Sequence, residues 1–377
     1  MIHGIDSLNG GYSMRTTQDF LNHLVPIELS FIQASITKLC RDKITDDTTN
    51  YDNVCNKVED CPYCGSYHYV KNGFNPHHKQ KYRCQDCGKI FTATTETMFT
   101  HSKTSFNTWS AFIACELNGL SLEQDSVATG LSVTTCFHMR HKLYKAISKV
   151  NDNVILHGLI ELDAAYTKIN LKGTRPQNMP RSSKHRGRKN ASIYSRHLRG
   201  LSNHKVCLVT ATDENDNILF KIAGLGQESY DKYDQFKNHF VKHSTIISDD
   251  KPCIQAFTYN NEMKTDVIPS LANQKRYTAS SGNSISSVNE LHTEAKKMIR
   301  HNKGISTRHL QAYLDWLVFR KRLRYTLDMR KWKDETYMET MREKIPFINT
   351  EIVKLPQPID LYKAYGAYHY GIYKNIN

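Results

Sequence analysis

The stretch Leu159-Ile-Glu-Leu-Asp-Ala-Ala-Tyr166 brings a β-branched, apolar run, Val154–Leu162, to a carboxylate at Asp163. Runs of the same texture follow at Val206–Thr212, Ile218–Ile222 and Thr245–Ser248, and the last leads into Asp249 and Asp250. Asp213, Asn215, Asp216 and Asn217 form a turn cluster between the second and third runs, so these two read as a hairpin. A helical pattern over Tyr230–Val241, with Tyr233, Phe236 and Phe240 on one face, precedes the fourth. A single carboxylate at a strand end is more often a turn residue or helix cap. Two of them, on a first and a fourth strand, are what a two-metal site requires, because carboxylates hold Mg²⁺ by oxygen and leave room for water and phosphate.

Three strands, a helix and a fourth strand is the order of a ribonuclease-H-like mixed sheet. Asp249 is taken as the second carboxylate, with Asp250 as the alternative, and Glu161 shares the strand face of Asp163. Downstream, Ser287–Arg300 and Thr307–Tyr325 read as helices. On the first of these, Asn289, His292, Lys296 and Arg300 fall on one face, since seven residues make about two helical turns. That face offers an oxygen, a hydrogen-bonding ring and two cations; the plain alternative is a solvated basic face.

Upstream, Cys61-Pro-Tyr-Cys64 and Cys84-Gln-Asp-Cys87 are two CxxC pairs separated by nineteen residues. Each pair suits a tight turn that aims two thiolates at one point, and two such knuckles make the closed, structural zinc site of a zinc ribbon. His68, His77, His78 and Cys55 are surplus to four cysteines. Between the ribbon and the first strand, Leu120–Leu143 has the order of a helix-turn-helix: a short helix, Gly130 for a left-handed turn, and Ser132 to cap a second helix. There Val133, Phe137 and Tyr144 are expected in the core, leaving Thr134, Thr135, His138, Arg140, His141 and Lys142 to a DNA groove.

The 377-residue chain carries 51 Lys and Arg against 37 Asp and Glu, a net +14, which calls for a polyanionic partner, nucleic acid before membrane. No apolar run approaches the ~20 residues of a spanning helix, and Met1–Arg15 lacks the order of a signal peptide. The ten cysteines are therefore expected in a reducing, cytoplasmic setting, nucleoid-associated if DNA is the partner. The segment Lys168–Lys205 holds eleven Lys and Arg and no Asp or Glu; Arg186, Arg188 and Lys189 at its centre are expected to form a DNA-backbone arm.

The order of ribbon, helix-turn-helix and Asp–Asp–Asn domain resembles the insertion-sequence transposases of the IS fifteen-ninety-five (ISXO-like) group. The likeness rests on Cys61-Pro-Tyr-Cys64-Gly, Tyr82-Arg-Cys-Gln-Asp-Cys87-Gly-Lys-Ile-Phe91, Gly119-Leu-Ser-Leu, Ile160-Glu-Leu-Asp163, Ser248-Asp249, Val288-Asn289 with His292 and Lys296, and Gly304-Ile-Ser-Thr307. The resemblance implies catalytic and Mg²⁺- or Mn²⁺-binding roles for Asp163, Asp249 and Asn289, with Lys296 and His292 beside them. It departs from an all-acidic triad in that Asn289 offers a neutral carbonyl.

The expected fold class is thus multi-domain α/β. An N-terminal segment (1–55), a zinc ribbon (56–95) and a helix-turn-helix region (100–150) precede a ribonuclease-H-like catalytic domain (154–325) and a C-terminal extension (326–377). The expected activity is metal-dependent DNA strand cleavage and transfer at terminal inverted repeats by a homodimer or larger oligomer on DNA. A DNA-binding regulator derived from a transposase, which binds without cutting, is the competing reading.

Overall fold

The computed structural model describes residues 58–76, 78–172, 205–269 and 278–323, with residues 336, 355 and 357–359 beyond them. The N-terminal segment (1–55) and the basic centre with Arg186, Arg188 and Lys189 lie outside the described residues.

The first unit is a three-stranded antiparallel sheet in sequence order: β1 (Tyr69–Phe74), β2 (Gln80–Cys84) and β3 (Ile90–Phe91). Opposed residues share a face. Tyr69, Tyr82 and Phe91 pack their rings together at centroid distances of 5.5 to 5.8 Å, over the buried Cys61 and Cys84. Val70, Arg83 and Ile90 form the row on the other face, and all three are exposed.

Three helices follow: α1 (Phe106–Leu117), α2 (Leu122–Thr129) and α3 (Val133–Val150). Each starts where a serine oxygen accepts a backbone N–H that the helix leaves orphaned: Ser105 from Thr108, Ser121 from Gln124, and Ser132 from Thr135. At Ser121 the Gln124 side chain returns the bond, completing a capping box. Gly130, at φ 72°, ends α2 in the left-handed conformation that only glycine adopts without strain.

The larger unit is a five-stranded mixed sheet of β4 (Leu159–Lys168), β5 (Lys205–Asp213), β6 (Ile218–Leu225), β7 (Thr245–Asp249) and β8 (Lys264–Ile268), in the order β6-β5-β4-β7-β8. The pairs β4–β5 and β5–β6 are antiparallel; β4–β7 and β7–β8 are parallel. Asp213 closes the β5–β6 hairpin by accepting the N–H groups of Asn215 and Asn217 at 2.9 and 3.0 Å.

Helices cover both faces. On one, Tyr233 of α4 (Tyr230–Asp234) and Ile254 and Phe257 of α5 (Pro252–Asn260) pack on Ile160, Leu162 and Val209. On the other, Leu291 and Ala295 of α6 (Ser286–His301) and Leu310, Leu314 and Leu317 of α7 (Thr307–Leu323) pack on Val206, Leu208 and Phe220. The membrane reading gains nothing, for no described helix is long and apolar enough to cross a bilayer.

Four elements differ from expectation. Strand β4 does not end at Asp163 but continues to Lys168, because β5 pairs along its whole length. The Tyr230–Val241 helix stops at Asp234: a short 3₁₀ turn follows at Lys237–His239, and Phe240 is drawn out of it to bridge Leu156. Strand β8 and helix α5 were not foreseen; β8 is a polar edge strand, and α5 is too short for a periodic signal.

The face of α3 is also rotated from expectation. Val133 is exposed, whereas Arg140, His141 and Lys142, offered to DNA by the sequence, are buried. Arg140 is 2% exposed, and its guanidinium donates to Glu116 at 2.6 Å, Asp125 at 2.8 Å, the Leu120 carbonyl at 2.9 Å and Asn302 at 3.1 Å. Lys142 gives its ammonium to the Thr100 carbonyl at 2.9 Å. The reason is that α3 is enclosed by α1 on one side and α7 on the other, so its inner face must satisfy charges as well as apolar groups. Replacing Arg140 by Met leaves Glu116 and Asp125 buried without their cation, and should cost about 3–5 kcal/mol of stability. Chemical denaturation measures this; an unchanged unfolding midpoint would show that Arg140 does not hold the helices together.

Candidate active site

Strand β4 is the frame of the site. Side chains alternate along it, so Ile160, Leu162 and Ala164 enter the core under α5, while Glu161 and Asp163 face the α6 side. Parallel pairing with β7 runs from Leu159–Thr245 to Glu161–Ile247 and then stops. Two residues further along each strand stand Asp163 and Asp249, at the point where β4 and β7 separate and open a cleft.

The structure brings the Lys251 ammonium into that cleft. It lies 2.8 Å from Asp163, 3.1 Å from Glu228 and 3.7 Å from Asp249. Burial works against the charge on Lys251, but Asp163 and then Glu228 outweigh it and raise its pKa. Burial, then the Asp163 carboxylate, raises the pKa of Asp249. Asp250 instead turns outward and accepts from Gln255 at 2.6 Å, so of the two neighbouring aspartates Asp249 is the one that meets Asp163.

Glu228 was missed in the sequence. It is 5% exposed and accepts hydrogen bonds from the hydroxyls of Tyr166, at 3.0 Å, and Tyr233. A lone glutamate in Leu225-Gly-Gln-Glu-Ser229 carries no pattern; its place depends on two tyrosines that the fold brings to it. Lys251 had a weak signal, as a cation two residues after Asp249 at the start of a helix.

Helix α6 is fastened to the sheet at two points. Glu161 accepts from Ser287 Oγ at 2.9 Å and from the Val288 N–H at 3.0 Å, so this carboxylate is occupied as a helix cap. His292 Nε2 is 3.0 Å from Thr210 Oγ1. Thr210 lies directly opposite Asp163 in the β4–β5 register, which sets His292 beside the aspartate. Burial lowers the His292 pKa; Asp163 opposes that, and Lys296 and Lys251 reinforce it, so the ring is neutral at pH 7. Asn289 is exposed between the two fastenings, and Lys296 is exposed one turn beyond His292.

Asp163 and Asp249 offer the hard oxygens that a divalent cation takes, and with Glu228 they share one cation, the Lys251 ammonium.

The four expected cysteines also converge. Their sulfurs lie within 4.8 Å of one another, with Cys61–Cys87 at 3.7 Å and Cys64–Cys84 at 3.6 Å. A Zn–S bond of about 2.3 Å gives a tetrahedral edge of about 3.8 Å, so the cluster is of the size to bind a structural zinc. The two knuckles are built alike: Gly65 donates to the Cys61 carbonyl and Gly88 to the Cys84 carbonyl, each with φ near 70°. A Ser66 backbone hydrogen bond lowers the Cys64 pKa, but burial and the neighbouring sulfurs prevail and push it up to about 12.

At the start of α3, Thr134, Thr135 and His138 line a groove of about 460 Å³ together with Ser132, His101 and Lys103. The last two were not singled out in the sequence.

Comparison with known proteins puts the sheet and its cleft in the transposase class: residues 155–322 match the family of the ISXO2-like transposase domain. A Halobacterium salinarum protein described as an uncharacterized protein in transposable element ISH50 is 28% identical over 126 residues. That stretch is 33% of this chain and 41% of the relative, so the chain spans less than half of that protein's length. Residues 155–322, a little under half of the chain, thus match an ISXO2-like transposase domain of the IS1595 group.

The purified chain should contain about one zinc per molecule, and Cys64→Ser, which alters an exposed thiol and disturbs no apolar packing, should lose it. Metal analysis by mass spectrometry decides; full zinc content in the variant would remove Cys64 from the site.

Proposed function

We propose that this chain is an insertion-sequence transposase that cuts and joins DNA strands by metal-dependent phosphoryl transfer at the cleft between β4 and β7. The observation that carries this reading is the meeting of Asp163 and Asp249 at adjoining parallel strands inside a transposase-family domain. The strand order, with two antiparallel and two parallel pairings, supports a ribonuclease-H-like catalytic domain.

In this reading Asp163 and Asp249 hold divalent metal through their oxygens, and the Asn289 carbonyl completes the set from α6. Two Mg²⁺ or Mn²⁺ ions so held supply an activated nucleophile and neutralise charge on the phosphate. Glu161 keeps the first turn of α6 against β4, and neutral His292 steadies the same helix through Thr210. Lys296 serves as a cation for a phosphate oxygen.

DNA recognition falls to the amino-terminal half. The four-cysteine unit acts as a zinc ribbon whose exposed Val70–Arg83–Ile90 face meets DNA. Helices α2 and α3 act as a helix-turn-helix. The oriented N–H groups at the start of α3, with Thr134, Thr135, His138, His101 and Lys103, bind backbone phosphate. Arg186, Arg188 and Lys189 add a basic arm that follows β4. Joining two DNA ends needs two active sites, so the working form on DNA is a dimer or larger.

A Mg²⁺-dependent cleavage and joining assay on the DNA ends flanking the gene tests this reading. Asp163→Ala should lower cleavage by about three orders of magnitude or more while leaving binding to the same DNA within a few-fold. Tight binding with no cleavage by the unaltered chain, in Mg²⁺ or Mn²⁺, would favour the regulator instead.

A further inference from the structure

Lys251 and Glu228 are the two charged groups of the cleft to which no step has yet been given. The Lys251 backbone is fixed: its N–H donates to the Asp249 carbonyl at 2.8 Å, and Pro252 begins α5 immediately after it. Its side chain is long and partly exposed, so the ammonium can move while its root cannot. Glu228 is the opposite case. The turn that bears it is pinned by the Lys232 ammonium, which takes the carbonyls of Leu225, Gly226 and Gln227. Its carboxylate is held by Tyr166 and Tyr233, and its own N–H donates to the Tyr166 hydroxyl at 3.1 Å. One mobile cation thus stands between a fixed carboxylate and the two aspartates assigned to metal.

We propose that Lys251 is the positioning cation that sets how tightly this cleft takes a divalent metal ion, and that Glu228 is the carboxylate that receives its ammonium when metal enters. The proposal rests on the reading of Asp163 and Asp249 as metal ligands.

Two cations compete for one carboxylate. A divalent ion taking Asp163 Oδ1 must displace the ammonium that is 2.8 Å from that oxygen. Two cations cannot share that oxygen without strong repulsion. The ammonium has a place to go, because Glu228 is already 3.1 Å away and does not move. By linkage, whatever the Lys251–Asp163 contact contributes to the resting site is subtracted from metal affinity. Glu228 lowers that penalty by keeping the displaced charge paired. It acts through Lys251 and is not itself a ligand in this arrangement.

The test is Mn²⁺ binding to the full chain without DNA, followed by electron paramagnetic resonance of free Mn²⁺. Lys251→Met should bind Mn²⁺ about fivefold or more tightly than the unaltered chain, and Lys251→Arg, which keeps the charge, should stay near it. Glu228→Gln should weaken binding, and that weakening should largely vanish in the Lys251→Met background. Circular dichroism of each variant identifies any that fails to fold, and Lys251→Gln then replaces Lys251→Met. Unchanged or weaker Mn²⁺ binding in folded Lys251→Met and Lys251→Gln overturns the proposal. An equal loss from Glu228→Gln in both backgrounds makes Glu228 a direct ligand and overturns its assigned role. A chain that never cuts DNA but binds Mn²⁺ more tightly as Lys251→Met upholds this proposal and removes the enzymatic reading. A chain that cuts DNA with Mn²⁺ affinity unchanged in Lys251→Met does the reverse.

Discussion

Pairing of β4 on both of its edges is the constraint from which the cleft follows. A strand bonded along its whole length to β5 cannot slip by one residue without turning Ile160, Leu162 and Ala164 out of the core. The same alternation that buries those three commits Glu161 and Asp163 to the opposite face. Because β7 pairs with only the first three residues of β4, the two strands part just before Asp163 and Asp249. The site is therefore a place where sheet hydrogen bonding ends while the strands themselves continue. Across the gap Asp163 and Asp249 share the Lys251 ammonium.

The buried Arg140 performs a comparable task between units. Its guanidinium meets α1 through Glu116, α2 through Asp125, and the end of α6 through Asn302. Tyr144, on the next turn of α3, also donates to Glu116 at 2.6 Å and stacks its ring on Trp316 of α7 at 4.9 Å. Helix α6 is thus bonded to the sheet at its start, through Glu161, and to the helical unit at its end. The Arg140 fork thus ties α3 to the end of the helix bearing Asn289, His292 and Lys296, in a low-dielectric interior that strengthens each hydrogen bond.

What was legible in the sequence was what repeats or has fixed spacing. The paired CxxC-Gly knuckles, the β-branched runs, the Asp/Asn turn and the Ser132 cap are local signals, and local bonding produces each of them. Legibility failed where a residue's role is set by a distant neighbour. Arg140, His141 and Lys142 look like a polar stripe until α7 closes over α3. Glu228 reaches the cleft only because Tyr166 of β4 and Tyr233 of α4 grip it. Asp249 could not be separated from Asp250 until the start of α5 supplied Gln255 as a partner for the latter.

Charge balance ties these observations together. Four carboxylates, Glu161, Asp163, Glu228 and Asp249, lie near the junction of β4 and β7, and such a gathering is unstable unless each is answered. The answers differ in kind. Glu161 is answered by the first turn of α6, a neutral group with a dipole, and is thereby withdrawn from metal chemistry. Glu228 is answered by two hydroxyls and one cation. Asp163 and Asp249 are left with a share of the Lys251 ammonium, the one partner of the set that can leave without unfolding a helix or a turn. Among the described acidic residues of the cleft, these two are accordingly the ones whose charge can be transferred to an incoming cation.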